Sequence, residues 1–485
     1  MTDLRPYINH LKSRTPDGSA CFYVVGLGRS GLASATALQA AEATVMVWDD
    51  QEKSRQAAAA KGFAVVAPES VEFKSLQAVV LAPGIPLTHP QPHPVVMQAQ
   101  AAGIEVISDL EILYRAHALK GSDAPRFVGI TGTNGKSTTT VLIAHLLSEA
   151  GMNVVCGGNL GTAVFELPDL SGDGVYVLEL SSYQLDLCHQ FRFNAALLLN
   201  MSPDHLDRHG DMEGYAKAKA RIFNNQTTND AAFVGLDDEH SRQIFDVLNS
   251  RKNQQVIPLS VTTRVAEGLF AVEGQLCDDR FAHRDAVLDL GELPTLVGQH
   301  NHQNALAAYG ICRFLGLDIQ TIEQGLQSFG GLVHRQELCL RTPVLRIIND
   351  SKATNVEATA RALGSFSNII WIAGGLAKEG GFTALKPLLH SVRKAFLIGE
   401  GAEQMNRELS DSLPATVMSR TLEQAVPAAL AAAGELHQQT GECATVLLSP
   451  ACASFDQFKS FEARGDHFKA LVRESLKEKT KGDKA

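Results

Sequence analysis

The stretch RFVGITGTNGKSTTT, residues 126–140, decides the fold class of this chain. It predicts an apolar β-strand, a glycine-containing turn and the start of a helix. Backbone amides of residues 132–135 can cradle phosphates at the helix N-terminus, and the Lys136 ammonium can reach the terminal phosphates. The hydroxyl of Ser137 or Thr138 can ligate Mg²⁺, so the stretch predicts a phosphate-binding loop.

The spacing of this loop differs from the strict G-x-x-x-x-G-K-[ST] pattern. Residue 130 is Ile, and the nearest upstream glycines are Gly129 and Gly132. The alternative is that G-K-S-T stands at a helix start by chance. The apolar strand before NGKSTTT favours the phosphate-binding interpretation.

A second glycine-rich turn lies near the N-terminus, in CFYVVGLGRSGLASATAL. Gly26, Gly28 and Gly31 form a G-x-G-x-x-G pattern between a strand and a helix, which permits close backbone approach to a diphosphate. Asp49 stands 18 residues after Gly31, at the end of the next strand, where an acid commonly meets a ribose or a base. The pattern predicts a nucleotide-like ligand, with a turn that binds nothing as the alternative.

Alternation of short β-rich runs with Ala- and Leu-rich stretches continues along most of the chain. Runs such as VYVLEL, AALLLNM, IIWIAGG, KAFLIG and ATVLLSP predict parallel sheets with crossover helices. The polar stretch at 120–125 and the stretch SFGGLVHR at 328–335 separate three α/β domains, which we place at 1–122, 123–330 and 331–485. Residues 225–290 are the least readable part.

Composition excludes several classes of protein. The 485 residues carry 43 Lys and Arg against 53 Asp and Glu, a net charge of −10, which argues against a DNA or RNA binder. The eight cysteines contain no C-x-x-C pair, so neither a zinc site nor a redox motif is predicted. The N-terminus lacks the apolar core of a signal peptide, and no apolar run approaches the roughly 18 residues of a membrane span. We therefore expect a cytoplasmic protein without membrane insertion.

Two further motifs extend the predicted phosphate site. VLELSSYQLD ends a very apolar strand with Glu179, whose buried carboxylate needs a metal or a basic partner. LNMSPDHLDRHG follows another strand and offers His205, and the helix YAKAKARIF carries Lys217 and Lys219. The carboxyl edge of a parallel sheet is where ligands bind, so we expect Glu179 and His205 beside the phosphate loop.

Together these residues resemble the Mur ligases, with folylpolyglutamate synthetase as a more distant relative. The resemblance rests on TGTNGKST, VLELSSYQLD, LNMSPDHLDRHG and VGQHNHQNALAA. INDSKATN, WIAGGLAKEGGF and LLSPACASFDQFKSFEARGDHF are similar to those Mur ligases that add D-glutamate to UDP-N-acetylmuramoyl-L-alanine. The resemblance implies a Rossmann-like first domain, a P-loop-type central ATPase domain with a mostly parallel sheet, and a Rossmann-like third domain.

The resemblance implies an ATP-dependent ligase of peptidoglycan precursor synthesis that forms an amide bond through an acyl phosphate. Its substrates would be UDP-N-acetylmuramoyl-L-alanine and D-glutamate, with ATP and two Mg²⁺ ions, and we expect a monomer. The residues implied for the UDP-linked substrate are Gly28, Arg29, Ser30, Asp49, Gly84, Asn159, Ser181 and Gln184. Those implied for ATP are Gly132, Thr133, Asn134, Gly135, Lys136, Ser137, Thr138, Asn301, Asn304, Arg335, Asp350 and Lys352.

The same resemblance assigns the metal and amino-acid sites. The implied metal residues are Ser137, Thr138, Glu179, His205 and Lys219, and the implied D-glutamate residues are Thr354, Lys378, Ser454 and Phe461. Lys136, His205 and Lys219 are the implied catalytic residues, with Lys219 carbamylated so that its cation becomes an anionic ligand. Thr354 as a helix cap, Lys378 as a solvated loop lysine and Phe461 as core remain the plain alternatives.

Three rival functions stay open at this point. Another Mur-type or folylpolyglutamate-type ligase conflicts with SKATN and SPACASFDQF or with the leading glycine-rich domain. A nicotinamide-dependent dehydrogenase would leave the phosphate loop and the third domain without a role. A non-catalytic ATP-binding regulator predicts loss of Glu179, His205 or Lys219, and all three are present.

Overall fold

The computed structural model describes residues 2–281, 286–293, 295–377 and 380–482. The chain forms two compact units, of which the first comprises Met1–Glu292 and Gln299–Gln327, and the second Leu293–Gly298 and Ser328–Ala485. None of the described helices combines the length and the apolar character that crossing a lipid bilayer requires.

The first sheet is fully parallel and has the strand order β3-β2-β1-β4-β5. Its strands are β1 (Cys21–Val25), β2 (Thr44–Trp48), β3 (Ala64–Val65), β4 (Ala78–Leu81) and β5 (Val106–Ile107). The accompanying helices are α1 (Arg5–Lys12), α2 (Arg29–Ala40), α3 (Glu52–Ala60), α4 (Pro94–Ala102) and α5 (Asp109–Ala118). This order is that of a Rossmann half, as expected from the glycine-rich turn.

The second sheet has nine strands in the order β14-β13-β12-β11-β10-β9-β6-β8-β7. Its strands are β6 (Arg126–Thr131), β7 (Val154–Gly158), β8 (Val175–Glu179), β9 (Ala195–Leu198), β10 (Ala231–Gly235), β11 (Gln255–Ser260), β12 (Leu269–Val272), β13 (Gln275–Asp278) and β14 (Ala286–Asp289). The helices are α6 (Lys136–Glu149), α7 (Ser182–Asp186), α8 (Leu206–His209), α9 (Met212–Ala220), α10 (Glu239–Arg251), α11 (Gln299–Phe314) and α12 (Ile319–Ser328). Pairing is parallel from β7 to β12 and antiparallel from β12 to β14.

The third sheet, in the second unit, has the order β15-β16-β20-β17-β18-β19. Its strands are β15 (Glu337–Arg341), β16 (Leu345–Asn349), β17 (Ile369–Gly374), β18 (Val392–Ile398), β19 (Thr416–Arg420) and β20 (Ala444–Leu448). The helices are α13 (Val356–Ser365), α14 (Ala402–Leu409), α15 (Leu422–Thr440) and α16 (Phe461–Gly482). Only the β15–β16 pair is antiparallel among the described strands of this sheet.

Side-chain alternation along the strands explains why each sheet is covered on both faces. In β17, Ile369 and Trp371 belong to one buried cluster, whereas Ile370 and Ile372 belong to another. Successive side chains of a strand point to opposite faces, so a strand that is apolar throughout needs helices on both sides. The near-continuous apolar runs of the sequence therefore predict these doubly covered sheets.

The three-domain α/β architecture expected from the sequence is confirmed. The strands β1–β5, β6–β14 and β15–β20 fall within the predicted ranges 1–122, 123–330 and 331–485, respectively. The borders at 122 and 330 themselves stay predictions, because the first two sheets lie within one compact unit.

Candidate functional site

A cavity of about 490 Å³ lies in the first unit, where loops that follow strands of the first and second sheets meet. Its lining residues are Arg29, Ser30, Pro83, Gly84, Lys136, Gly158, Asn159, Gly161, Ala163, Ser181, Ser182, Tyr183, Gln184, Asp204, His205, Tyr215 and Lys219. All residues predicted for the UDP-linked substrate line it except Gly28 and Asp49. The cavity therefore brings most of the predicted substrate residues together with Lys136, His205 and Lys219, whereas Ser137, Thr138 and Glu179 do not line it.

The first glycine loop is held in place by Asp49. One carboxylate oxygen of Asp49 accepts a hydrogen bond from the Leu27 amide at 2.6 Å, and the other accepts from the Gln51 amide at 2.8 Å. A Cβ on Gly31 would lie 1.8 Å from the carbonyl oxygen of Gly26, so the helix can pack this closely only without a side chain there. In this structure Asp49 therefore orders the loop.

Amide side chains form hydrogen bonds with the second glycine loop and with the helix that follows it. Asn200 accepts from the Asn134 amide at 2.9 Å and donates to Gln303 at 2.8 Å. Asn304 accepts from the Thr139 hydroxyl at 3.1 Å, and a Cβ on Gly135 would lie 2.4 Å from the same Asn304 oxygen. Buried polar groups of α11 thus fix the shape of the phosphate loop.

Asn301 and Asn304, predicted as adenine-side contacts, are both buried at the start of α11. The Asn304 amide group donates to the Asn301 side-chain oxygen at 3.1 Å. Sequence reasoning missed Asn200 and Gln303, whose role depends on packing between segments about 100 residues apart.

Two lysines converge on this loop. The Lys136 ammonium donates to the carbonyls of Gly132 and Thr133 at 2.8 and 2.9 Å. Lys219 Nζ donates to Gly132 at 2.9 Å and to the Thr131 hydroxyl at 3.2 Å. Ser137 and Thr138 lie in the first turn of α6, directly after Lys136.

Lys219 is almost completely buried, with 1% of its surface exposed. Burial, and next the charge of Lys136, lower the pKa of Lys219 well below its ordinary value. Its ammonium lies 4.6 Å from the centre of the Tyr215 ring, on the same face of α9. Tyr215 was missed by sequence analysis, although its i, i+4 spacing from Lys219 is visible in YAKAK.

Glu179 is the residue that best fits a metal ligand. One of its carboxylate oxygens accepts from the Asn159 amide group at 2.7 Å, whereas the other is buried and, within the described residues, accepts no hydrogen bond. A buried carboxylate oxygen without a partner is costly, and a divalent cation would satisfy it.

His205 stands at the N-cap of α8 with a positive φ of 54°, and its ring centre lies 5.0 Å from that of Tyr183. Over the described ranges, no three His, Cys, Asp or Glu side chains form a cluster that could hold a metal by themselves. Magnesium commonly takes one or two carboxylates together with substrate phosphates and water, so a lone Glu179 oxygen beside a phosphate loop fits that ion.

Several of the remaining predicted residues lie at the carboxyl edge of the sheet of the second unit. Asp350 follows β16 and accepts from the Ser449 hydroxyl at 2.8 Å, and Ser449 follows the neighbouring strand β20. Burial raises the pKa of Asp350 to about 7, against the smaller opposing effects of the hydrogen bonds from Ser449 and the Gln336 amide and of the Arg335 charge.

The loops of this edge also bring Lys352 and Phe461 together. Lys352 Nζ lies 5.6 Å from the Phe461 ring centre, and the Ser351 hydroxyl donates to the Phe461 carbonyl at 2.8 Å. Ser454 is buried and Thr354 half-buried in the loops after β20 and β16. Lys378 lies outside the described residues.

Comparison with protein-family models gives two matches. Residues 130–312 match the Mur ligase middle domain, and residues 21–108 match the Mur ligase MurD-like N-terminal domain.

Curated relatives extend the similarity over nearly the whole chain. The UDP-N-acetylmuramoylalanine–D-glutamate ligase of Caulobacter vibrioides is 47% identical over 450 residues, covering 93% of this chain and 94% of the relative. The protein of the same name from Paramagnetospirillum magneticum is 47% identical over 452 residues, covering 93% and 95%.

Among solved structures, the UDP-N-acetylmuramate–alanine ligase of Thermotoga maritima aligns with a TM-score of 0.53. The alignment covers 94% of this chain and 99% of that one at 18% identity, which supports the fold alone.

Proposed function

The chain belongs to the Mur ligase family, and from this premise we propose that it joins D-glutamate to UDP-N-acetylmuramoyl-L-alanine at the expense of ATP. The observation that carries the proposal is the cavity of the first unit. It places the predicted UDP-substrate residues, such as Arg29 and Asn159, in the same space as the phosphate-loop Lys136 and the buried Lys219.

The first step brings two anions together. The carboxylate of the UDP-linked substrate attacks the γ-phosphorus of ATP, forming an acyl phosphate and releasing ADP. Lys136 and the N-terminus of α6 offset the repulsion between these anions, because both present positive charge at the loop. In the structure the Lys136 ammonium lies on the loop carbonyls, from which it can turn to a phosphate oxygen.

Magnesium, when bound, would neutralise phosphate charge and polarise the phosphoryl group. Glu179 is the best-fitting ligand, because one of its oxygens accepts no hydrogen bond within the described residues. His205, Ser137 or Thr138, and a carbamylated Lys219 complete the proposed set. The number of ions stays a prediction.

Carbamylation of Lys219 fits its environment. Because burial and Lys136 favour the neutral amine, Nζ has a free electron pair that can attack carbon dioxide, forming an N–C bond and releasing a proton. The product is a carboxylate-like group, whose negative charge is attracted by the neighbouring Lys136 ammonium. It also supplies oxygen atoms, the ligands that magnesium prefers.

The second step is assigned to residues of the second unit. The amine of D-glutamate attacks the acyl carbon, and phosphate leaves as the amide forms. We propose that the hydroxyls of Thr354 and Ser454 and the Lys378 ammonium bind the carboxylates of the amino acid, with Phe461 packing against its chain. Arg335, Asp350 and Lys352 are proposed to contact ATP.

The test is phosphate release from ATP with UDP-N-acetylmuramoyl-L-alanine and each of D-glutamate, L-glutamate, L-alanine and glycine. We expect turnover that requires both the UDP-linked substrate and D-glutamate. Equal release with any other amino acid would contradict the proposed specificity, and release without the UDP-linked substrate would contradict the ligase assignment. The monomeric state and the cytoplasmic location stay predictions, which gel filtration and cell fractionation address.

A further inference from the structure

Arg208 connects two segments of one cavity wall without itself lining the cavity. It lies in α8, three residues after His205, and its guanidinium reaches the turn that follows β4. Nη1 donates to the Gly84 carbonyl at 2.8 Å, and Nη2 donates to the Ile85 carbonyl at 2.8 Å and to the Pro83 carbonyl at 3.4 Å. A single side chain thus donates hydrogen bonds to three consecutive carbonyl groups of one turn.

That turn borders the cavity and the first glycine loop at the same time. Pro83 and Gly84 are cavity-lining residues, and a Cβ on Gly26 would lie 2.6 Å from the Ala82 side chain. The Ile85 amide donates to the Ala82 carbonyl at 3.0 Å. This hydrogen bond of the turn does not use the carbonyl groups of Pro83, Gly84 and Ile85. Arg208 provides donors for all three carbonyl groups; Pro83 and Ile85 are half-buried, where a carbonyl without a partner is unfavourable, whereas Gly84 is exposed.

The flat face of the same guanidinium covers Tyr183. The guanidinium carbon lies 4.5 Å from the centre of the Tyr183 ring, and Tyr183 also lines the cavity. Tyr183 is in addition stacked on the buried His209, with ring centres 5.5 Å apart. Arginine alone among the side chains can donate along its edge to several acceptors while its face stacks on an aromatic ring.

We propose that Arg208 is a positioning residue for the UDP-linked substrate, because it holds the Pro83–Ile85 turn and the Tyr183 ring as one wall of the cavity. The proposal rests on the proposed function. It assigns no contact between Arg208 and the substrate. It predicts that loss of Arg208 weakens binding of the UDP-linked substrate, while ATP, whose phosphates are proposed to meet the loop at Lys136, keeps its affinity.

The experiment compares Arg208→Ala and Arg208→Lys with the unchanged protein. We expect the KM for UDP-N-acetylmuramoyl-L-alanine to rise at least about tenfold in Arg208→Ala, since several hydrogen bonds from a charged donor are lost together. The KM of Arg208→Lys for the same substrate should lie between those of the unchanged protein and Arg208→Ala. An ammonium group cannot both bridge three carbonyl groups and stack on the Tyr183 ring. The KM for ATP should change less than about twofold, well under the factor of ten that 1.4 kcal/mol represents.

Chemical rescue distinguishes a positioning role of Arg208 from a general loss of structure in the variant. Millimolar methylguanidinium should lower the raised KM of Arg208→Ala by filling the vacated place, and it should have no such effect on the unchanged protein. If Arg208→Ala does not fold, Arg208→Lys and Tyr183→Leu provide the same comparison of the two KM values. Direct titration of the UDP-linked substrate without ATP or magnesium removes any contribution from His205 on the same helix.

Arg192→Ala is the matched control. Arg192 also joins two segments, donating to the buried Asp230 at 2.7 Å, but neither residue lines the cavity. It should lower the unfolding temperature and leave both KM values unchanged. Equal changes in the two KM values of Arg208→Ala, or an unchanged KM for the UDP-linked substrate, would overturn the proposal. Absence of turnover in the unchanged protein would instead overturn the proposed function.

Discussion

The two glycine loops of the first unit share a backbone plan and differ in their charges. Each follows a central strand, β1 or β6, and each precedes a helix that starts within the next few residues. Gly26 and Gly135 both have positive φ angles, of 90° and 83°. Local sequence therefore builds the same strand–turn–helix at both places.

Residues from outside the loops create the difference. The first loop is closed by the Asp49 carboxylate, and Arg29 at its helix start is paired with Glu166 at 2.8 Å. The second loop receives two amines, of Lys136 and Lys219, on its carbonyl groups. The first loop is thus balanced by the acids Asp49 and Glu166, whereas the second loop presents the Lys136 ammonium beside Lys219, whose pKa is lowered by burial. A glycine pattern predicts a turn, and the charged groups around the turn are what differ between the two loops.

Among substitutions in the two glycine loops, Lys136→Ala is expected to have the largest effect. Phosphate release should fall by about 10²–10³-fold or more, because a preorganised positive group at the transferring phosphoryl is lost. Binding of the UDP-linked substrate should change little, because its predicted contacts are with other loops. The exposed Lys217 gives the control, and Lys217→Ala should keep nearly full turnover. Near-normal turnover of Lys136→Ala would remove the phosphate-loop assignment.

Lys219→Ala is expected to have the next largest effect, a loss of activity of about 10²-fold from a missing ligand that orients the metal. If the residue is carbamylated, acetate or formate should restore part of the activity by filling the vacated oxygen position. Mass spectrometry of the unchanged protein under ¹³C-labelled carbon dioxide tests the modification directly. Activity that survives Lys219→Ala, or greater damage in Lys217→Ala, would contradict the carbamate.

Gly31→Ala tests how tightly the first loop is packed. The added Cβ would lie 1.8 Å from the Gly26 carbonyl oxygen, so backbone must shift, at a cost of about 1–3 kcal/mol in the free energy of unfolding. Gly28→Ala is the matched variant, because its Cβ would meet nothing within 4 Å and its φ of −67° suits alanine. Thermal unfolding should therefore separate the two. Equal stability of the variants would show that the loop is not constrained at Gly31.

The smallest expected effect concerns the Arg29–Glu166 pair. Its side chains are 60% and 39% exposed, and such pairs contribute about 1 kcal/mol or less. Glu166→Gln should therefore raise the affinity for the UDP-linked substrate by up to about fivefold, since Arg29 no longer has a competing carboxylate. Arg29→Gln should lower it, and the double variant should match Arg29→Gln alone. A decrease in Glu166→Gln would show that the pair supports the site.

Sequence alone predicted the strands and loops whose signals are local. Runs such as VYVLEL, RFVGITG and IIWIAGG form strands in the structure, because near-continuous apolar residues demand burial on both faces. The strand, glycine turn and helix from β6 to α6 were predicted for the same reason, since the three are adjacent in the chain, and phosphate binding by the turn stays a prediction.

Long-range features were not accessible in this way. Arg208 and Gly84 lie 124 positions apart, and no local sequence pattern near either residue predicts their hydrogen bond. The same holds for Glu166 and Arg29, 137 positions apart. Sequence periodicity describes which face of an element is apolar, and it contains no information on which polar groups of distant elements meet.

Part of the region 225–290 was readable in hindsight. Glu273 and Gly274 connect the antiparallel strands β12 and β13, and both have positive φ angles, 54° and 80°. Two-residue hairpin loops of this kind favour glycine at the second position. The dipeptide Glu273-Gly274 between two short apolar runs could therefore have predicted the hairpin. The strands there are only four residues long, which is why periodicity gave no clear pattern.

The path of the chain has a consequence for its synthesis. The first compact unit is interrupted, because Leu293–Gly298 belong to the second unit and Gln299–Gln327 return to the first. Helix α11 buries most of its side chains and supports the second glycine loop through Asn304. This helix is therefore translated only after the segment Leu293–Gly298 of the second unit. A ribosome-bound chain that ends before residue 299 lacks the helix that shapes its second glycine loop. The first unit thus becomes complete only once its last segment has left the exit tunnel, late in a process that adds about 5–20 residues per second.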